Sequence, residues 1–122
     1  MIRVLVADDE EDFIAAFMIR LEAAGFKGIV ASDGEQVFEK IKKEKPDVII
    51  LDVMMPKMDG LQVSRKLKAN PETQDIPIFF LTAGAFDIAE ALDDLACGQE
   101  FFLKTASSEE IVERIRAVAA EQ

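Results

Sequence analysis

Short apolar runs alternate with amphipathic stretches along the whole chain. Ile2 to Ala7 reads as a buried strand. Asp12 to Ala24 reads as a helix, because Phe13, Phe17 and Leu21 recur every four residues along one face. Gly25 suits its C-terminal stop. Gly28 to Ser32 is a second short strand. Asp33-Gly34 opens a second helix with Val37, Phe38 and Ile41 inward and Lys40, Lys42 and Lys43 outward. Lys45-Pro46 closes it. Val48 to Leu51 is continuously apolar and mostly β-branched, the signature of a strand covered on both faces. Asp59-Gly60 caps a third helix that runs to Ala69, and a polar loop covers Pro71 to Asp75. Pro77 to Leu81 is a fourth strand, Asp87 to Ala96 a fourth helix closed by Gly98, and Phe101 to Leu103 a fifth strand. Ser107 with Glu110 forms a capping box for a fifth helix, whose Ile111, Ile115 and Val118 face the core.

Strands alternating with helices give an α/β fold with a parallel sheet. Right-handed crossovers place helices on both of its faces, a doubly wound sandwich of five β-α units. The expected organisation is one domain over residues 1–122, with no repeat, linker or output domain.

Charge and composition narrow the function. The chain has 24 acidic and 14 basic residues, a net charge of -10. That argues against direct binding to nucleic acid or to anionic lipid, both of which select basic faces. One cysteine, Cys97, and no histidine exclude an internal disulfide, a Cys/His zinc site and histidine-based catalysis. Asp8 to Asp12 are five consecutive acids following the first apolar run, the opposite of a signal peptide's basic start. No apolar run approaches the ~20 residues of a membrane span. The expectation is a soluble, cytosolic protein.

In an open α/β sheet the functional crevice lies beyond the carboxyl ends of the strands. Strand one ends at Asp8 and Asp9, strand three at Asp52, strand four at Thr82 and strand five at Lys104. Converging carboxylates repel unless a cation sits among them. Mg2+ suits such oxygen ligands and keeps room for phosphate oxygens. Mg2+, a lysine and a hydroxyl together describe a phosphoryl pocket, and a carboxylate within it can be the nucleophile. Each residue alone has a plainer reading. Asp8-Asp9 could be a solvated strand end opening a helix, Thr82 a turn residue, Lys104 a solvated charge, and Met54 and Met55 packing. Their joint placement at one edge of one sheet tips the balance towards a site.

These positions resemble the receiver domain of two-component response regulators, the single-domain chemotaxis type in particular. The most specific stretch is Asp52-Val53-Met54-Met55-Pro56-Lys57-Met58-Asp59-Gly60, with Asp8-Asp9, Thr82-Ala83 and Lys104 in register. The resemblance implies a flavodoxin-like (βα)5 fold with strand order 2-1-3-4-5. It implies that Asp52 accepts a phosphoryl group from a histidine kinase or phosphotransfer protein. Asp9, Asp52 and the Met54 backbone carbonyl would bind Mg2+, with Asp8 acting through a metal-bound water. Lys104 would pair with phosphoryl oxygens, and Thr82 would move to hydrogen-bond them. Phe101 would act as the switch aromatic, although it also reads as one more apolar residue beside Phe102. The face made by the fourth helix, fifth strand and fifth helix would carry the signal to an output protein. Acidic residues on that helix (Asp87, Glu90, Asp93 and Asp94) would suit a basic partner patch. Activity of the chain's own would be limited to self-phosphorylation and slow dephosphorylation.

Three positions depart from the family pattern. Thr105 replaces the usual proline after the lysine, where a cis bond costs roughly 2.5–4 kcal/mol. Gln99 stands where a small residue is common, and Phe101 replaces a frequent tyrosine. The competing readings are weaker. A haloacid-dehalogenase-like phosphatase would need an acid where Met54 stands. A flavodoxin-like FMN protein would need a phosphate loop after strand one, where this chain has acids, and aromatic rings, whereas this chain has no Trp or Tyr. A degenerate receiver that binds partners without phosphorylation is the closest alternative.

Overall fold

A computed structural model of the chain describes residues 1–55, 58–82, 100–104 and 106–120. Within them five strands form one parallel sheet: β1 (Arg3–Ala7), β2 (Lys27–Ala31), β3 (Val48–Asp52), β4 (Ile78–Thr82) and β5 (Glu100–Leu103). Their order is β2-β1-β3-β4-β5, as the resemblance implies. The described helices are α1 (Glu11–Ala23), α2 (Gly34–Lys43), α3 (Gly60–Ala69) and α4 (Ser108–Ala120). The last of these is the fifth helix of the sequence reading. The expected helix over 87–96, with its acidic residues, lies outside the described residues, as does the Lys104-Thr105 bond.

Side chains alternate across a strand, so a sheet with two covered faces needs two cores. Val4, Val6, Val48, Ile50, Phe79 and Leu81 join Phe17 and Leu21 of α1 and Ile111 and Ile115 of α4. Leu5, Ala7, Ile49, Leu51, Ile78 and Phe80 join Val37 of α2 and Val63 and Leu67 of α3 on the other face. Every residue of β3 is buried, which is what its unbroken apolar run requires.

Helix ends follow local chemistry. Gly25 ends the α1 segment at a φ of 90°, a left-handed conformation that glycine adopts without steric cost. Asp33 caps α2 by accepting the Gln36 N–H at 2.9 Å. Asp59 caps α3 with a full capping box, reciprocated by Gln62. At α4 the expected box with Glu110 is not what forms. The Ser107 hydroxyl accepts the Glu109 N–H at 3.2 Å, one residue earlier, and among the described residues Glu110 bonds through its backbone to the Ser107 carbonyl.

The polar stretch 71–75 is a series of turns, yet Thr73 within it is buried. Its hydroxyl donates to the Leu67 carbonyl at 2.7 Å, near the C-terminus of α3, where that carbonyl also accepts the Asn70 N–H at 3.3 Å.

Candidate phosphoryl and metal site

The carboxyl ends of β1, β3, β4 and β5 bring Asp8, Asp9, Asp52, Thr82 and Lys104 to one edge of the sheet, where the sequence reading put them. Asp8 directly follows β1, and its N–H donates to the Ala31 carbonyl of β2 at 3.1 Å. Asp52 is the last residue of β3. Its position is held from behind by Gly60, because a Cβ at Gly60 would fall on the backbone of Asp52 and Val53. The glycine of the Asp59-Gly60 pair is therefore required by close approach to the acceptor, and it also starts α3. Lys104 follows β5, and its N–H donates to the Thr82 carbonyl at 2.9 Å, tying two corners of the site together. The Thr82 side chain is buried.

The Lys104 ammonium lies among three carboxylates. It stands 3.1 Å from Asp8 Oδ1, 2.6 Å from Glu10 Oε1 and 3.0 Å from Asp52 Oδ2. Its fourth neighbour is the ring of Phe13, 5.4 Å from the nitrogen, a cation–π contact. Phe13 in turn stacks on Phe17 of the core. Glu10 and Phe13 were not singled out as site residues from the sequence, where Glu10 is one of five consecutive acids and Phe13 one of a helical stripe.

Burial and charge set the protonation chemistry. Asp52 is pushed up to about 6, mainly by burial and then by the neighbouring Asp8 charge. Hydrogen bonds from Lys104 and the Met54 N–H oppose the rise. The carboxylate stays mostly ionised at neutral pH, as a nucleophile must. Burial alone would pull the Lys104 ammonium down, but its hydrogen bonds to Glu10, Asp8 and Asp52 outweigh that and raise it above the ordinary lysine value.

The residues fit a divalent cation. Asp8, Asp9 and Asp52 each offer a carboxylate oxygen, all within 4.8 Å of one another. Among the described residues Asp8 Oδ2, which is buried, accepts no hydrogen bond, although the Lys104 nitrogen lies 3.0 Å away. A buried carboxylate oxygen with only this ion pair and no hydrogen bond has room to face a metal ion or its water. Asp9 is exposed, which leaves one side of the cluster open. Met54 donates its N–H to Asp52 Oδ1 at 3.1 Å, and its side chain is exposed beside the site. Phe101 is half-buried and stacks on Phe80 with ring centroids 5.1 Å apart.

The comparisons with known proteins agree with this geometry. Residues 4–116 match the response regulator receiver domain family. The alkaline phosphatase synthesis transcriptional regulatory protein PhoP of Bacillus subtilis is 36% identical over 116 residues, which cover 95% of this chain and 48% of that protein. The chain thus spans about half the length of the curated relatives it matches. Among solved structures, the Vibrio cholerae chemotaxis protein CheY4 has a TM-score of 0.84 at 26% identity, covering 97% of this chain and 98% of that one. The receiver domain of the sensor histidine kinase PA1611 from Pseudomonas aeruginosa, solved with a magnesium ion coordinated in its active site cleft, has a TM-score of 0.86. It is 21% identical and covers 97% of each chain. This chain belongs to the family of response regulator receiver domains, which are phospho-acceptor switches rather than conventional enzymes.

Proposed function

We propose that the chain accepts a phosphoryl group on Asp52 from a histidine kinase or a phosphotransfer protein. The supporting observation is the Lys104 ammonium 3.0 Å from Asp52 Oδ2, within a ring of carboxylates that only a further cation would balance. An Asp52 oxygen attacks the phosphorus of a phosphohistidine. The new P–O bond forms as the P–N bond breaks, and the electron pair leaves with the imidazole nitrogen, which takes up a proton. Little covalent machinery is needed, because phosphoryl transfer is mostly positioning and charge neutralisation.

Asp9 and Asp52 would hold Mg2+ directly, with the Met54 carbonyl as a third ligand and Asp8 through a water. Bound there, the ion would neutralise phosphoryl oxygens. Asp8 also anchors Lys104, which is ready to follow the charge onto the phosphoryl group. Thr82, at the end of β4, would supply a hydroxyl to the same oxygens. Phe101, stacked on Phe80 two residue pairs below Thr82 in the β4–β5 register, would respond when Thr82 moves. Such a local charge change biases a two-state element. The output face would then be residues 87–96 with β5 and α4, binding another protein.

The test is 31P NMR of the chain with Mg2+ and phosphoramidate, a small phosphoryl donor. A protein-bound acyl-phosphate resonance that hydroxylamine removes supports the reading. A spectrum of donor and inorganic phosphate alone contradicts it and favours a receiver that binds partners without phosphorylation.

A further inference from the structure

An ammonium group has three N–H donors. In Lys104 they face Asp8 Oδ1, Glu10 Oε1 and Asp52 Oδ2, so all three are committed before any phosphoryl group arrives. The three acceptors are not equivalent. Asp8 is fully buried and fixed, since its Oδ1 also accepts the Glu10 N–H at 2.9 Å. Asp52 is the acceptor itself. Glu10 makes the shortest of the three contacts, yet its side chain is 62% exposed while that of Lys104 is 13% exposed. Glu10 is also the N-cap residue of α1 and makes no side-chain cap bond, so its carboxylate is free to serve Lys104.

We infer that Glu10 is a positioning residue that holds Lys104 in the resting state and competes with phosphoryl oxygens for it. The inference rests on the receiver reading of the site. Phosphorylation places the doubly charged phosphoryl group on Asp52, beside the Asp8 and Glu10 carboxylates that hold the same lysine. Of the groups that bind the ammonium, only Glu10 lies at the surface, where its carboxylate is rehydrated at little cost once released. Release of Glu10 turns Lys104 wholly towards the phosphoryl group. Glu10 thereby sets how much of the site's cation is available to an incoming anion. It acts through Lys104 and need not touch the phosphoryl group.

The test compares the wild-type chain with Glu10→Gln and Glu11→Gln. The second variant removes the same charge one residue along, from a side chain with no contact to Lys104 among the described residues. The probe is beryllofluoride, a phosphoryl mimic, titrated at saturating Mg2+ and followed by 1H–15N NMR. Glu10→Gln is expected to bind it about fivefold more tightly, the scale of an exposed ion pair removed, and Glu11→Gln less than about twofold. In the metal-free chain the Lys104 15Nζ resonance should shift in Glu10→Gln and stay in place in Glu11→Gln. Equal effects of the two variants, or none from either, overturn the role of Glu10 while leaving the receiver reading intact. Failure of all three chains to bind beryllofluoride overturns both.

Discussion

Lys104 and Asp52 are 52 residues apart in sequence, and their charged atoms are 3.0 Å apart. The chain brings them together through the β3-β4-β5 register, with Asp52 opposite Leu81 and Thr82 opposite Leu103. Removing the lysine leaves buried Asp8 and Asp52 facing each other with no cation. Lys104→Met is therefore expected to destabilise the metal-free chain by about 3 kcal/mol, the scale for stranding a buried charge. Mg2+ should restore part of that loss, and phosphoryl uptake should fall sharply. Urea denaturation with and without Mg2+ measures the first two. An unchanged midpoint in Lys104→Met would show that the ion pairs carry no net stability.

Divalent metal should stabilise the fold through Asp8, Asp9 and Asp52. At 100 times its Kd, Mg2+ adds about 2.7 kcal/mol by mass action. The midpoint of thermal unfolding should rise with Mg2+ concentration in the wild-type chain. The rise should largely vanish in Asp9→Asn, whose exposed side chain has little part in the packing. An identical Mg2+ response in the two chains would remove Asp9 from the ligand set.

Gly60→Ala places a methyl group against the Asp52 carbonyl and the start of the loop after β3. Backbone cannot yield as a flexible side chain can, so the expected cost is about 1–3 kcal/mol. The displacement is transmitted to Asp52 directly, so phosphoryl uptake should fall even under conditions where the variant is folded. Circular dichroism paired with phosphorylation of the same sample separates the two effects. Gly25→Ala makes a useful contrast. Its Cβ would meet nothing within 4 Å, and only its left-handed φ is strained, so stability should drop with uptake unchanged.

Much of this was legible in the sequence because strands and their ends are local features. The apolar run Val48-Ile49-Ile50-Leu51 announces a buried strand, and whatever follows it must lie at the sheet edge. That logic places Asp52, Thr82 and Lys104 without any knowledge of their contacts. It could not single out Glu10, because the reach of Lys104 from the end of β5 to the end of β1 is a property of assembled side chains. Phe13 was read for its helical stripe, and its second role beneath an ammonium depends on that same reach. The Asp59–Gln62 capping box did have a sequence signal, an Asp followed three residues later by a Gln. The box expected at Ser107 and Glu110 shifted to Glu109, since a serine hydroxyl can satisfy either of two adjacent N–H groups. Thr73 reads as part of a solvated loop, and its burial follows from the Leu67 and Asn70 carbonyls that its hydroxyl meets.

The most direct measurement is the intact mass of the chain after incubation with acetyl phosphate, with and without Mg2+, beside Asp52→Asn. Phosphoryl transfer to Asp52 predicts a gain of one phosphoryl group that requires Mg2+ and is absent from the variant. A gain that persists in Asp52→Asn, or no gain in the wild-type chain although Mg2+ stabilises it, would contradict the assignment of Asp52 as the acceptor.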